Sequence, residues 1–63
     1  MNEAFFKRFI EKGLELSVSI ELKGSKLSCS AIIRKNSVKV DEMYNWTNYE
    51  MFESELIESL ERF

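Results

Sequence analysis

Residues 14–34 read LELSVSIELKGSKLSCSAIIR, and this stretch decides the fold. Leu14, Leu16, Val18, Ile20 and Leu22 alternate with Glu15, Ser17, Ser19, Glu21 and Lys23. A period of two marks a strand with one dry face and one wet face. Gly24-Ser25 follows, and glycine at the first loop position suits a two-residue type II′ turn. That turn sets Lys23 opposite Lys26. Leu22 then faces Leu27, Ile20 faces Cys29, Val18 faces Ala31 and Leu16 faces Ile33. Apolar residues meet apolar or small ones throughout, so turn chemistry and hydrophobic pattern specify one register. The wet side pairs Glu15 with Arg34. The pattern specifies a fold and carries no chemistry.

Before the hairpin, Asn2 is placed as an N-cap, and Phe5, Phe6, Phe9 and Ile10 fall on one helical stripe. Glu3 and Lys7 form a supportive i,i+4 pair. Gly13 suits the left-handed residue that ends a helix, and Lys12 complements the dipole there. After the hairpin, Lys35-Asn36 reads as a second tight turn, followed by a strand over 37–41. This register sets Val38 opposite Ile33, Lys39 opposite Ile32 and Val40 opposite Ala31. The alternation fails at Glu42, so residues 41–46 read as a connection. Thr47-Asn48-Tyr49-Glu50 has the form of a capping box, with Trp46 and Met51 spaced as a hydrophobic staple. Tyr49, Phe52, Leu56, Leu60 and Phe63 then line one helical face, opposite Glu50, Ser54, Glu58 and Glu61.

The expected architecture is α+β: helix, three-stranded antiparallel meander in the order 1-2-3, helix, as one domain over 1–63. One-sided strands and one-sided helices place both helices on the same face of the sheet. The other face is left open, carrying Glu15, Ser17, Ser19, Glu21, Ser28, Ser30, Ile32 and Lys39.

This order and length resemble the double-stranded RNA-binding domain. That family contacts RNA through a Lys-rich start of its last helix and a loop bearing Pro and His. The matching helix start here is Asn48-Tyr49-Glu50-Met51-Phe52-Glu53, and the chain has neither Pro nor His. Phosphate contacts need Lys or Arg, so no binding residue carries over. A nucleic-acid-binding alternative instead uses the basic first helix with Lys23, Lys26, Lys35 and Lys39.

Composition bounds the chemistry. The absence of histidine removes imidazole bases and the usual transition-metal ligands. Cys29 is the single cysteine, is placed in the core, and fits a reducing compartment. Neither glycine lies in a phosphate-binding loop. No catalytic residue, cofactor or metal ligand is expected, and the chain reads as a non-enzyme. Lys7 and Arg8 interrupt the N-terminal apolar stretch and no span of membrane length follows, so a cytoplasmic, membrane-free protein is expected.

A chain of 63 residues sits near the lower limit of independent stability. With no disulfide or metal, a dense aromatic core or a second subunit must supply the rest. The expectation is a protein-interaction module that homodimerises through its first strand or its open sheet face. Glu15, Ser17, Ser19, Glu21 and Ile32 are the candidate contacts there. Charge is also divided: residues 1–40 hold eight Lys/Arg and four Glu, whereas residues 41–63 hold one Arg and seven Asp/Glu. Glu50, Glu58 and Glu61 are therefore candidates for an acidic surface that meets a basic partner. A short, acidic, Pro-free chain with these carboxylates suits an inhibitor of host machinery of the kind phages and mobile elements make, and that is the expectation for this surface.

Overall fold

The structure, a computed structural model, describes residues 2–63. The elements are α1 (Glu3–Glu11), β1 (Leu14–Lys23), β2 (Lys26–Lys35), β3 (Val38–Trp46) and α2 (Tyr49–Arg62). The three strands form one antiparallel sheet in the order β1-β2-β3. Both helices lie on one face, because Phe9 of α1 and Phe52, Leu56 and Leu60 of α2 share a single core with Leu14, Cys29, Ala31, Ile33 and Met43. The small residues Cys29 and Ala31 sit in the central strand, where they let the helices approach.

The first hairpin pairs in the expected register without interruption, from Leu14–Lys35 to Lys23–Lys26. Gly24 takes φ 60° while Ser25 does not enter the left-handed region, the sign pattern of a II′ turn. Gly13 ends α1 at φ 72°, as its position after the stripe implies.

The second hairpin differs. Its turn is Asn36-Ser37, not Lys35-Asn36, with φ of 53° and 66° as a type I′ turn demands. Val38 therefore opposes Lys35, and Lys39 opposes Arg34. The register then shifts: Ile33 meets Asp41, Ile32 meets Glu42 and Ala31 meets Met43. Val38 stays on the helix side, opposite Lys35 at the end of the sheet, and Val40 is the extra residue; both are exposed. Nor does β3 stop at Asp41; it runs on to Trp46 through a second shift at Asn45 (φ 58°). The extra residues at these β-bulges broke the alternation that a simple period-2 reading follows.

Bulging turns Asp41 toward α2. Its carboxylate accepts a hydrogen bond from the hydroxyl of Ser59, which is fully buried, and faces Arg62 Nη1 at 3.4 Å. α2 begins one residue later than the capping box implies. Asn48, not Thr47, is the N-cap, its Oδ1 accepting from the Met51 N–H at 3.1 Å. Met51 stays largely exposed, so no staple secures this end. At the other end Lys12 Nζ donates to the Leu60 carbonyl at 2.8 Å, tying the end of α1 to the end of α2.

Element lengths explain what remains uncovered. Ten-residue strands run about 33 Å, whereas the nine residues of α1 span about 13 Å. The helices cover the Leu14–Val18 end of β1 and leave the hairpin tip bare. Ile20 (48% exposed) and Leu22 (70%) lie on the helix side of the sheet but beyond the helices. The α1 stripe likewise splits: Phe9 is buried and Phe5 half-buried, but Phe6 and Ile10 are exposed.

Candidate interaction site

The expected site residues fall into two groups on opposite sides of the molecule. Glu15, Ser17, Ser19 and Glu21 alternate along β1, and Ile32 stands beside them on β2 opposite Ser17. All five share the open face of the sheet. Glu50, Glu58 and Glu61 lie on the outer, solvated side of α2, across the sheet from that face. The fold therefore offers two separate surfaces rather than one composite site.

The open face holds more than the alternation of β1 and β2 implied. The extension of β3 adds Glu42, Tyr44 and Asn45. Ser17, Ser19, Ser30, Ile32 and Tyr44 line a shallow depression of about 290 Å³. Tyr44 Oη donates to Glu42 Oε2 at 3.0 Å, and Lys39 forms an ion pair with the same carboxylate. The hydrogen bond and charge of Glu42 hold the Lys39 ammonium above its ordinary range. Glu42 is held below the usual carboxylate range by Lys39 first and by the Tyr44 hydroxyl second. Ser28 Oγ donates to Asn45 Oδ1 at 3.1 Å, and the Asn45 N–H donates to Ser30 Oγ at 3.2 Å. The serines of β2 thus fasten the second bulge. A sequence signal for this cluster existed in the alternation Glu42, Tyr44 against Asp41, Met43, but Asn45 and the earlier bulge interrupt it.

The two sheet edges are unlike. β3 is irregular at two points and carries Lys39, Asp41 and Glu42. β1 pairs with β2 for ten residues without a bulge. In a two-residue hairpin the residues flanking the turn, Lys23 and Lys26, exchange both backbone hydrogen bonds, and bonded and non-bonded pairs then alternate. Glu15, Ser17, Ser19 and Glu21 accordingly bond to β2. Leu14, Leu16, Val18, Ile20 and Leu22 direct their N–H and C=O groups outward, to the unpaired edge. Beside this edge, Phe6, Ile10, Leu14 and Leu16 line an apolar groove of about 300 Å³.

On α2, Arg62 reaches Glu55 at 3.9 Å and Glu58 at 4.0 Å as well as Asp41. One cation therefore offsets part of the acidic helix. The cations proposed for nucleic acid do not gather. Lys23 and Lys26 flank one turn, Lys35 stands at the far end of β2, roughly 30 Å away, and Lys39 is paired with Glu42. Cys29 is buried with no exposed surface. Among the described residues, no group of three His, Cys, Asp or Glu side chains is arranged to hold a metal. No helix among them is long and apolar enough to cross a membrane.

Comparisons with protein-family models, curated proteins and solved structures found no match to this chain.

Proposed function

We propose that this chain is a non-enzymatic protein-interaction module that works by accepting a partner strand along β1. The carrying observation is the contrast between the edges. An unpaired strand edge is a ready template for strand addition, and proteins ordinarily blunt it with bulges, prolines or inward charge. β3 has two bulges and an inward-turned carboxylate, Asp41, whereas β1 runs ten residues without a bulge and keeps its three charges, Glu15, Glu21 and Lys23, on the open face. Main-chain bonds at Leu16, Val18, Ile20 and Leu22 supply the recognition, and the bare apolar side chains at the hairpin tip supply burial.

Amide hydrogen exchange tests this reading. At working concentration the Val18, Ile20 and Leu22 amides exchange slowly although no bond to them forms among the described residues of the chain. Ile20→Pro removes an outward donor without touching the β1–β2 ladder, and it returns Val18 and Leu22 to fast exchange while the core stays protected. Fast exchange at these amides in the unaltered chain at every concentration refutes the reading.

The acidic side of α2 supports a second reading, an inhibitor that presents carboxylates to a basic site on its target. Glu50, Glu58 and Glu61 share one exposed helical side. Charge reversal of all three to Lys abolishes target binding with the fold intact under this reading; unchanged binding rejects it.

A further inference from the structure

We infer that the strand accepted by β1 is β1 of a second copy, antiparallel, about a two-fold axis that passes between the two Ser19 residues. The inference rests on the reading of β1 as an interaction edge and adds the partner and the register.

Three independent features select this register. The first is backbone direction. An axis at Ser19 pairs Val18 with Ile20 and Leu16 with Leu22 of the other copy, and all of these direct their free N–H and C=O groups to the edge; axes at Val18 and Ile20 meet this requirement too, and the next two features decide among the three. The second is charge. The axis sets Glu15 against the second copy's Lys23, twice by symmetry, at non-hydrogen-bonded positions where opposed side chains lie closest. Moving the axis to Val18 sets Glu15 against Glu21 twice. Moving it to Ile20 leaves Glu15 without a strand residue opposite and puts Leu16 against Gly24. The third is shape. Leu22, 70% exposed, arrives beside Leu16 of the other copy. Leu16 is a wall of the apolar groove that Phe6, Ile10 and Leu14 complete. Because the axis is perpendicular to the sheet, both pairs of helices stay on one face, and each α1 overhangs the tip that the other copy's helices leave bare. The product is a continuous six-stranded sheet.

The test measures mass, charge coupling and proximity. Sedimentation equilibrium of the unaltered chain at tens of micromolar gives twice the 7.5 kDa chain mass. Lys23→Glu and Glu15→Lys each weaken the dimer about tenfold, because two attractive cross-strand pairs become repulsive. The double variant Glu15→Lys/Lys23→Glu restores the original affinity. Within its own hairpin Lys23→Glu relieves the pair with Lys26 but loses the ion pair with Glu21, and Glu15→Lys sets a cation against Arg34, so circular dichroism and urea denaturation establish that each variant is folded before its mass is read. In a Cys29→Ala background, Ser19→Cys crosslinks two chains under oxidised glutathione, while Ser17→Cys, set against Glu21, does not. A monomeric mass overturns the inference. If slow exchange at Val18 and Ile20 persists but the charge swap fails to restore affinity, or Ser17→Cys crosslinks as fast as Ser19→Cys, the register is wrong while β1 remains an interaction edge. Fast exchange at those amides removes both.

Discussion

Replacing Asp41 tests how the bulged third strand holds the last helix. The Ser59 hydroxyl has no exposed surface, and its hydrogen bond goes to the Asp41 carboxylate. No buried side-chain nitrogen or oxygen among the described residues lacks a partner. Asp41→Ala creates one. A hydrogen bond to a charged group contributes about 1.5–3 kcal/mol, and an orphaned buried hydroxyl costs about 1–3 kcal/mol. The carbonyl one turn back on α2 offers that hydroxyl a poorer partner, so the expected loss is about 2 kcal/mol. Ser59→Ala behaves differently. The carboxylate keeps the Glu42 N–H at 2.8 Å and Arg62, and its side chain retains 24% exposure to water. Alanine also raises helix propensity by about 0.5 kcal/mol, so this change costs under about 1 kcal/mol. The double variant has no orphan and is more stable than Asp41→Ala alone. Urea denaturation of the four proteins closes the cycle. A double variant at least as unstable as Asp41→Ala shows that Ser59 does not depend on Asp41, and refutes the reasoning.

Capping, turn geometry and pH supply three further expectations. Asn48→Ala destabilises by about 1 kcal/mol, as loss of an N-cap does, and Thr47→Ala stays within about 0.5 kcal/mol of the parent; equal losses in denaturation would return the capping role to Thr47. Ser37→Gly raises the midpoint, stabilising by about 0.5–1 kcal/mol, because Ser37 holds φ 66° with a side chain that disfavours it; a lower midpoint contradicts the I′ geometry. Burial, and then the neighbouring Glu53 carboxylate, raises the Tyr49 phenol above its ordinary value. A folded pKa above the unfolded one means that this contribution is fully present below about pH 10. It is lost as pH climbs through the folded value. Tyr49→Phe therefore flattens the fall in stability above pH 10; an unchanged slope in pH-dependent thermal melts counts against it.

Legibility in the sequence tracked regularity. In the first hairpin, Gly24 pinned the turn and five alternations pinned the register, so every pair from Leu16–Ile33 to Lys23–Lys26 followed from residue order alone. In the second, Asn36 takes the positive φ that asparagine tolerates, but the turn is Asn36-Ser37 and not Lys35-Asn36, and that one-residue difference moves all of β3. A bulge carries no side-chain signature. Val40 alternates as a core residue would, yet it is the extra residue, and Asp41 and Met43 turn inward behind it. Loss of that register hid Tyr44 and Asn45 from the open face. Ile20 and Leu22 failed for another reason. Alternation reports which side of a sheet a residue occupies, not whether a helix reaches far enough to cover it.

Under the proposed β1–β1 pairing, the inequality of the two edges also governs how far assembly goes. A sheet with two regular edges adds copies without end, which is the route to fibres. Here β3 is bulged at Val40 and Asn45 and pins its second bulge with Ser28 and Ser30, so it presents no even row of donors and acceptors. Pairing of β1 with β1 is isologous: each copy contributes the same edge, and both regular edges are consumed in one contact. What is left outermost is β3 on each side. The charge order along β1 reinforces the closure, since Glu15 near one end and Lys23 at the other satisfy each other only when two strands run in opposite directions about Ser19. A parallel addition in register would stack Glu15 on Glu15 and Lys23 on Lys23. In the proposed dimer the same residues that leave β1 open to a partner therefore restrict it to one, and a 63-residue chain with a bare hairpin tip gains cover for Ile20 and Leu22 without exposing a new edge.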